Sequence, residues 1–238
     1  MIKTLIFIPT YNEADNILVL LDEIFKIDEK FRILIVDDNS PDGTATMIKE
    51  KYPEGKVEVI IRKKYRGRGL AGIRGFKESL KYDFDRLIEM DGDLSHSPEF
   101  IPLLLKESEN ADLVIGSRFI KGGKDKERGS LREFISFFAR IYISLILGLK
   151  IKDITSGFRV FKKPVIEKIL PHLTAKDPFI VAESLYWVKR YGFSIKEVPI
   201  YFYNRNKGVS KLNGKILFTY LFKVLKLGIR GRKITISS

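Results

Sequence analysis

Between Lys3 and Phe119 the chain keeps one rhythm: a short apolar run, a polar turn, a longer segment with apolar residues at helical spacing, then another short run. KTLIFIP, FRILIVDD, KVEVIIR, DRLIEMD and ADLVIGSRF read as strands, each short, apolar and bounded by turn residues. ADNILVLLDEIFKI, SPDGTATMIKEKY, GLAGIRGFKESLKY and SPEFIPLLLKESE read as helices. In the first of these, Ile17, Leu20, Leu21 and Ile24 share a face; in the second, Ser40 is a candidate N-cap with Pro41 just inside. Such alternation implies an α/β fold with a mostly parallel sheet covered by helices on both faces. At 238 residues and 45% hydrophobic content, the chain suits one α/β domain with a small appendage.

The rhythm changes near Lys121. KGGKDKERGS reads as a polar loop, and LREFISFFARIYISLILGL as a helix apolar on nearly every face. Its uncharged run, Ile141 to Leu149, is far short of the ~20 residues a membrane span needs; the Phe134 to Leu149 stretch suits core packing as well as lipid contact. TSGFRVFKK reads as a strand, PFIVAESLYWVKRYG as a helix, SIKEVPIYFY as a strand and NRNKGVSKLN as a basic loop. The last helix, GKILFTYLFKVLKLGIRGR, sets lysines between apolar residues, the pattern of an interfacial helix. A catalytic unit over 1–212 and a basic amphipathic helix and tail over 213–238 are expected. The chain starts directly on strand-like sequence, with no expected signal peptide or transmembrane segment.

Charge and side-chain chemistry narrow the function. The net charge is +13; no acid follows Glu197, while nine cations do, and RKKYRGR (Arg62 to Arg68) is nearly as dense. Such asymmetry suits an anionic partner: nucleic acid, a membrane surface or a phosphorylated ligand. Cysteine is absent and His96 and His172 are the only histidines, so any metal should be a hard ion bound by oxygen.

Ligands of a parallel α/β sheet bind beyond the carboxyl ends of the strands. FIPTYNE, LIVDDNS and LIEMDGD end there in Glu13, in Asp37 and Asp38, and in Asp91 and Asp93. An acid after the second strand can accept hydrogen bonds from a ribose or base. The D-x-D pair can hold Mg2+ or Mn2+, which would bridge a diphosphate, and Gly92 would let the backbone come close. One D-x-D pair alone also suits a capping turn before Ser97-Pro98; three polar strand ends in this order form the stronger combination. GRGLAG (Gly67 to Gly72) matches G-x-G-x-x-G, but Arg62 to Arg66 separate it from its strand, so it reads as a basic loop and helix N-terminus rather than a dinucleotide site.

IPTYNE, VDDNSPDGT, MDGDLSHSPEFIP, GSRF, SGFRVFKK, EVPI and GVSKL stand in the order and spacing of family 2 glycosyltransferases of GT-A fold. Within that family the chain resembles the dolichyl-phosphate mannosyltransferases, from Ile8 to about Leu212. The resemblance implies that Pro9, Tyr11, Glu13, Asp37 and Asp38 line a nucleoside pocket. It implies that Asp91 and Asp93 ligate the metal near Ser95, that Arg118, Arg132, Arg205 and Lys211 meet donor and acceptor phosphates, and that Ser156 to Arg159 shape the acceptor side. Relatives often continue into transmembrane helices; this chain looks like the short form.

A phosphate acceptor is already largely dianionic near pH 7 (second pKa about 6) and needs cations and an apolar path rather than a base. Arg118, Arg132, Lys207 and Lys211 would supply the charge. For a hydroxyl acceptor, Glu183 is the candidate base. The expected donor is a nucleotide sugar, GDP-mannose, with UDP-glucose the alternative, and the expected acceptor a polyprenyl phosphate. Attachment to an anionic membrane surface, peripherally on the cytoplasmic face, is expected, and a separate membrane subunit stays open. Nucleic acid is not an expected partner, because an acidic cleft repels it and no helix-turn-helix or aromatic-basic platform is present. Trp187 and Tyr201 to Tyr203 read as packing, and His96 as a turn hydrogen-bonder.

Overall fold

β1 (Thr4–Thr10) shows how the core is organised: Leu5 and Phe7 enter one buried apolar cluster and Ile6 and Ile8 the other. That is the period of two of a strand covered on both faces. A computed structural model describes residues 2–125, 130–202 and 214–233, with side chains except at 130–137, 214–218 and 232–233. After β1 come α1 (Ile17–Ile27), β2 (Arg32–Asp37), α2 (Thr44–Lys51), β3 (Val57–Ile61), α3 (Arg68–Ser79), β4 (Arg86–Glu89), α4 (Ile101–Glu107) and β5 (Leu113–Ser117). Each lies on a segment the sequence assigns to it. α2 starts later than expected, after Gly43 at φ 86°, because Ser40 is engaged elsewhere.

The second half contains β6 (Lys124–Asp125), α5 (Ser130–Leu147), β7 (Arg159–Lys162), α6 (Lys163–Ile169), α7 (Ile180–Arg190), β8 (Ile195–Pro199), β9 (Tyr201–Phe202) and α8 (Gly214–Lys233). The main sheet runs β3-β2-β1-β4-β7-β5-β8. Its neighbouring pairs are parallel except those of β7, which runs antiparallel between β4 and β5. SIKEVPIYFY is not one strand: Ile200, fully buried, separates β8 from β9, and β9 pairs with β6 in a small second sheet.

α1 and α4 cover one sheet face, while α3, α6 and α7 cover the other. α3 presses directly on β1, since a Cβ on Gly75 would lie 2.2 Å from the Phe7 ring. α8 joins that face through Val224, Leu227 and Tyr220, and the Tyr220 and Phe179 rings meet edge to face at 5.3 Å. The interfacial pattern of the last helix therefore includes a core-facing stripe, in which Tyr220, Val224 and Leu227 turn inward. α5 is divided, with Ile143 and Leu147 buried and Phe138, Ile141 and Leu145 exposed. Trp187 is core, stacked on His172. The expected boundary at 212/213 lies outside the described residues. No described helix is long and apolar enough to cross a membrane.

Candidate active site

β2, β1 and β4 are adjacent and parallel, so their carboxyl ends open on one edge. Each is followed by a non-glycine residue in the left-handed region: Asn12 (φ 58°), Asn39 (φ 56°) and Leu94 (φ 62°). Asn tolerates that conformation; Leu does so at a cost of order 1–3 kcal/mol, and such positions cluster at functional sites. Local bonds hold Leu94 there. Asp93 accepts from Ser95 N–H at 3.1 Å and Ser95 Oγ at 2.5 Å, and His96 Nδ1 accepts the Asp91 N–H at 3.0 Å. Burial lowers the His96 pKa, which suits an imidazole accepting a backbone proton, stacked on Phe158.

After β2 the carboxylates serve the protein itself. Asp37 is fully buried and accepts from Thr10 Oγ1 (2.8 Å), Ser40 N–H (2.8 Å) and Ser40 Oγ (2.6 Å). Asp38 pairs with Arg62 and accepts the Gly67 N–H at 2.7 Å. Asp37 thus fixes the loop that shapes the edge. Pro9 is likewise buried at the end of β1. Tyr11 stands at the mouth, 44% exposed, its hydroxyl accepting from Arg66 at 2.8 Å beneath that guanidinium. Glu13 accepts from Asn16 Nδ2 at 3.0 Å. Gly92 is buried, and a Cβ there would lie 3.3 Å from Thr10 Cγ2 and 3.5 Å from Glu13 Cγ. Its lack of a side chain permits this packing against β1 and the segment after it.

Asp91 keeps 27% of its side chain exposed, the more open member of the D-x-D pair. The SGFR loop passes beside it, for a Cβ on Gly157 would lie 3.4 Å from both Asp91 oxygens. Arg68, at the head of α3, donates to Glu89 at 2.9 Å and lies 3.4 Å from Asp91 Oδ1. Burial works against its charge, but Glu89 and Asp91 prevail and raise its pKa. Arg159 faces Glu89 from the other side at 3.6 Å, with burial holding its pKa below the usual arginine range.

Three residues expected on the acceptor side are buried and bonded within the protein. Arg159 is fully buried and donates to Ser184 Oγ (2.7 Å) and Val181 O (3.3 Å). Ser156 is buried, its Oγ accepting the Phe158 N–H. Arg118 is buried in a two-pronged bond to Asp153, both contacts 2.8 Å, and reaches Thr155 Oγ1 at 2.7 Å. Glu183 is engaged within the protein: its oxygens accept from Thr174 N–H, Thr174 Oγ1 and Ala175 N–H, fixing the loop before α7. The side chain of Arg132 lies outside the described residues, as do Arg205, Lys207 and Lys211 entirely. Arg68, Glu89 and Asp153 were not expected. Glu89 had a signal, an acid at a core-facing position of an apolar strand, and Arg68 closes the basic RKKYRGR cluster at the helix N-terminus; Asp153 had none.

The donor set of the edge is carboxylate oxygen, the chemistry of a hard divalent cation. Among the described residues no group of three or more His, Cys, Asp or Glu side chains is placed to hold a metal. Asp91 and Asp93 thus fit an ion that takes its other ligands from phosphate oxygens and water, as Mg2+ commonly does.

Comparison with known proteins agrees with this geometry. A glucosyl-3-phosphoglycerate synthase from Mycobacterium tuberculosis, crystallised with phosphoglyceric acid, superposes with a TM-score of 0.72 at 17% identity, over 94% of this chain and 80% of that one. A mannosyl-3-phosphoglycerate synthase from Rubrobacter xylanophilus gives 0.62 at 17% identity, over 100% and 77%. These likenesses establish the fold. Residues 5–170 match the model of Glycosyl transferase family 2, and the chain belongs to that family; it is a glycosyltransferase. It is 38% identical to the polyprenol monophosphomannose synthase of Mycolicibacterium smegmatis, over 97% of this chain and 88% of that protein. It is 36% identical to the undecaprenyl-phosphate mannosyltransferase of Micrococcus luteus, over 97% and 96%. Identity to the dolichol-phosphate mannosyltransferase of Pyrococcus furiosus is 40%, over 94% of this chain and 63% of that protein.

Proposed function

We propose that the chain transfers mannose from GDP-mannose to a polyprenyl or dolichyl phosphate, in one inverting displacement at the anomeric carbon. The observation that carries this reading is the agreement among those three relatives: their names differ in the lipid but share mannose. The acceptor phosphate is its own nucleophile, which fits a site where Glu183 is consumed by a loop. Asp91 and Asp93 would hold Mg2+ or Mn2+, whose charge stabilises a departing nucleoside diphosphate. Ser95 and His96 keep the D-x-D turn in shape, Tyr11 and Arg66 flank the donor entrance, and Arg132, Arg205 and Lys211 are the cations proposed for the phosphates.

We also propose that the enzyme rests peripherally on an anionic membrane, on its cytoplasmic face. Phe222 (60% exposed), Leu225 and Ile229 form a stripe on α8, beside Phe138, Ile141 and Leu145 (74% exposed) on α5. The two helices meet where a Cβ on Gly228 would lie 3.0 Å from Ile146 Cγ2. Lys223, Lys226 and Arg230 follow the opposite flank of α8. An apolar stripe edged by cations suits an anionic bilayer surface, where each cation contributes about 1 kcal/mol.

The test is transfer of radiolabel from GDP-mannose or UDP-glucose to a short prenyl phosphate with Mg2+ or Mn2+. Label should enter the organic phase from GDP-mannose and stop with EDTA. Asp91→Ala and Asp93→Ala should each lower transfer by about 10²–10³-fold while the protein remains folded by circular dichroism. Transfer from UDP-glucose alone overturns the donor assignment, and full activity in chelator overturns the metal.

A further inference from the structure

The floor of the site carries more cationic charge than its D-x-D motif announces. Arg68 reaches it from the first residue of α3 and donates Nη2 to Glu89 Oε1 at 2.9 Å, with the same nitrogen 3.4 Å from Asp91 Oδ1. Glu89 is 1% exposed, and its other oxygen faces Arg159. One buried glutamate is therefore flanked by two guanidinium groups, and the nearer also touches the carboxylate proposed as a metal ligand.

The base of Arg68 is fixed. The Gly67 N–H donates to Asp38, and Gly67 sits at φ 149° against Lys176 O, where a Cβ would approach to 2.4 Å. A Cβ on Gly69 would lie 2.3 Å from Ala175 O. The glycines of GRGLAG thus let α3 start tight against the 174–177 loop, and they aim Arg68 across β4. Its guanidinium can yield Asp91 and still keep Glu89.

We infer that Arg68 is a positioning residue that competes with the divalent metal for Asp91, so that the ion is held firmly only when a nucleoside diphosphate arrives with it. This rests on Asp91 being a metal ligand, as proposed above. A cation placed 3.4 Å from that carboxylate both satisfies it and repels a second cation. A diphosphate restores the balance, since its negative charge attracts the metal and Arg68 alike. The arrangement discourages metal from binding alone and couples it to the donor.

The experiment titrates the purified full chain with Mn2+, alone and with saturating GDP, reading free Mn2+ by electron paramagnetic resonance. Arg68→Met and Arg68→Gln are compared with wild type; the glutamine keeps a donor for Glu89 should the methionine variant fail to fold. Removing the guanidinium leaves Glu89 facing Arg159, so a charge partner remains. Both folded variants should bind Mn2+ alone at least tenfold more tightly than wild type, and GDP should enhance their affinity less. A merely structural arginine would leave Mn2+ affinity unchanged or weaken it, and that result in a folded variant overturns the inference. Asp91→Ala separates the two claims: Mn2+ binding with GDP that ignores this substitution removes the metal reading, and the competition with it. Binding that needs Asp91 but ignores Arg68 removes the competition alone.

Discussion

Asp153 anchors Arg118 within the core. Burial would raise its pKa, but the bonds and charge of Arg118 hold it below the usual carboxylate range. Glu197 in turn accepts the backbone N–H groups of Lys152 and Asp153, each at 2.9 Å. Asp153→Asn should leave the buried Arg118 charge with only the more distant Asp125, 3.9 Å away, at a cost of up to about 3–5 kcal/mol in urea denaturation at pH 7. A folded-state pKa below the unfolded ~3.9 makes this stabilisation present above that pH and lost as pH falls through the folded value. The gap between wild type and variant should therefore close in acid, and a gap that persists there would point to packing. The contrast with Asp37 shows what sequence conveys at this scale. An acid at a strand end is legible, but whether its oxygens face a ligand depends on nearby donors, and Ser40, three residues on, claims them.

At the scale of elements, α8 shows why periodicity misled. Its apolar residues form two stripes: Tyr220, Val224 and Leu227 face the core, while Phe222, Leu225 and Ile229 face outward. Both have helical spacing, so the pattern alone cannot say which is inside. The two stripes should separate in experiment. Leu227→Ala should cost about 2–5 kcal/mol of stability, since the side chain is 6% exposed within a cluster. The pair Phe222→Ser and Ile229→Ser should leave stability nearly unchanged yet release the protein from anionic vesicles in co-sedimentation at low salt. Loss of folding in the double variant, or its undiminished sedimentation, would remove the membrane face. Removing residues 214–238 should destabilise the enzyme as well as free it from lipid, because Val224 and Leu227 leave the core with it.

For the molecule as a whole, the alternation of short strands and helices was enough to read a parallel α/β sheet with three polar strand ends on one edge. β7 was legible as a strand but not in direction, since side-chain period is the same either way. Only the tertiary pairing sets Arg159–Lys162 antiparallel between β4 and β5. That placement has a consequence for how the protein is made. A ribosome delivers β4 and β5 before β7 exists, and the two strands never pair with each other. Until Lys162 emerges, each presents an open row of backbone donors and acceptors, the feature that invites pairing with other chains. At about 5–20 residues per second, the stretch from Ser117 to Lys162 keeps that slot open for roughly 2–9 s. The family match, ending at residue 170, extends just past the strand that closes it. Nascent chains stalled with residue 158 outside the tunnel should be protease-sensitive and bind a chaperone, and those that have released β7 should be less so, with β5's far edge protected only once β8 has emerged. The strand that completes the catalytic floor is also the one that closes the gap between β4 and β5 during synthesis, while the far edge of β5 waits for β8.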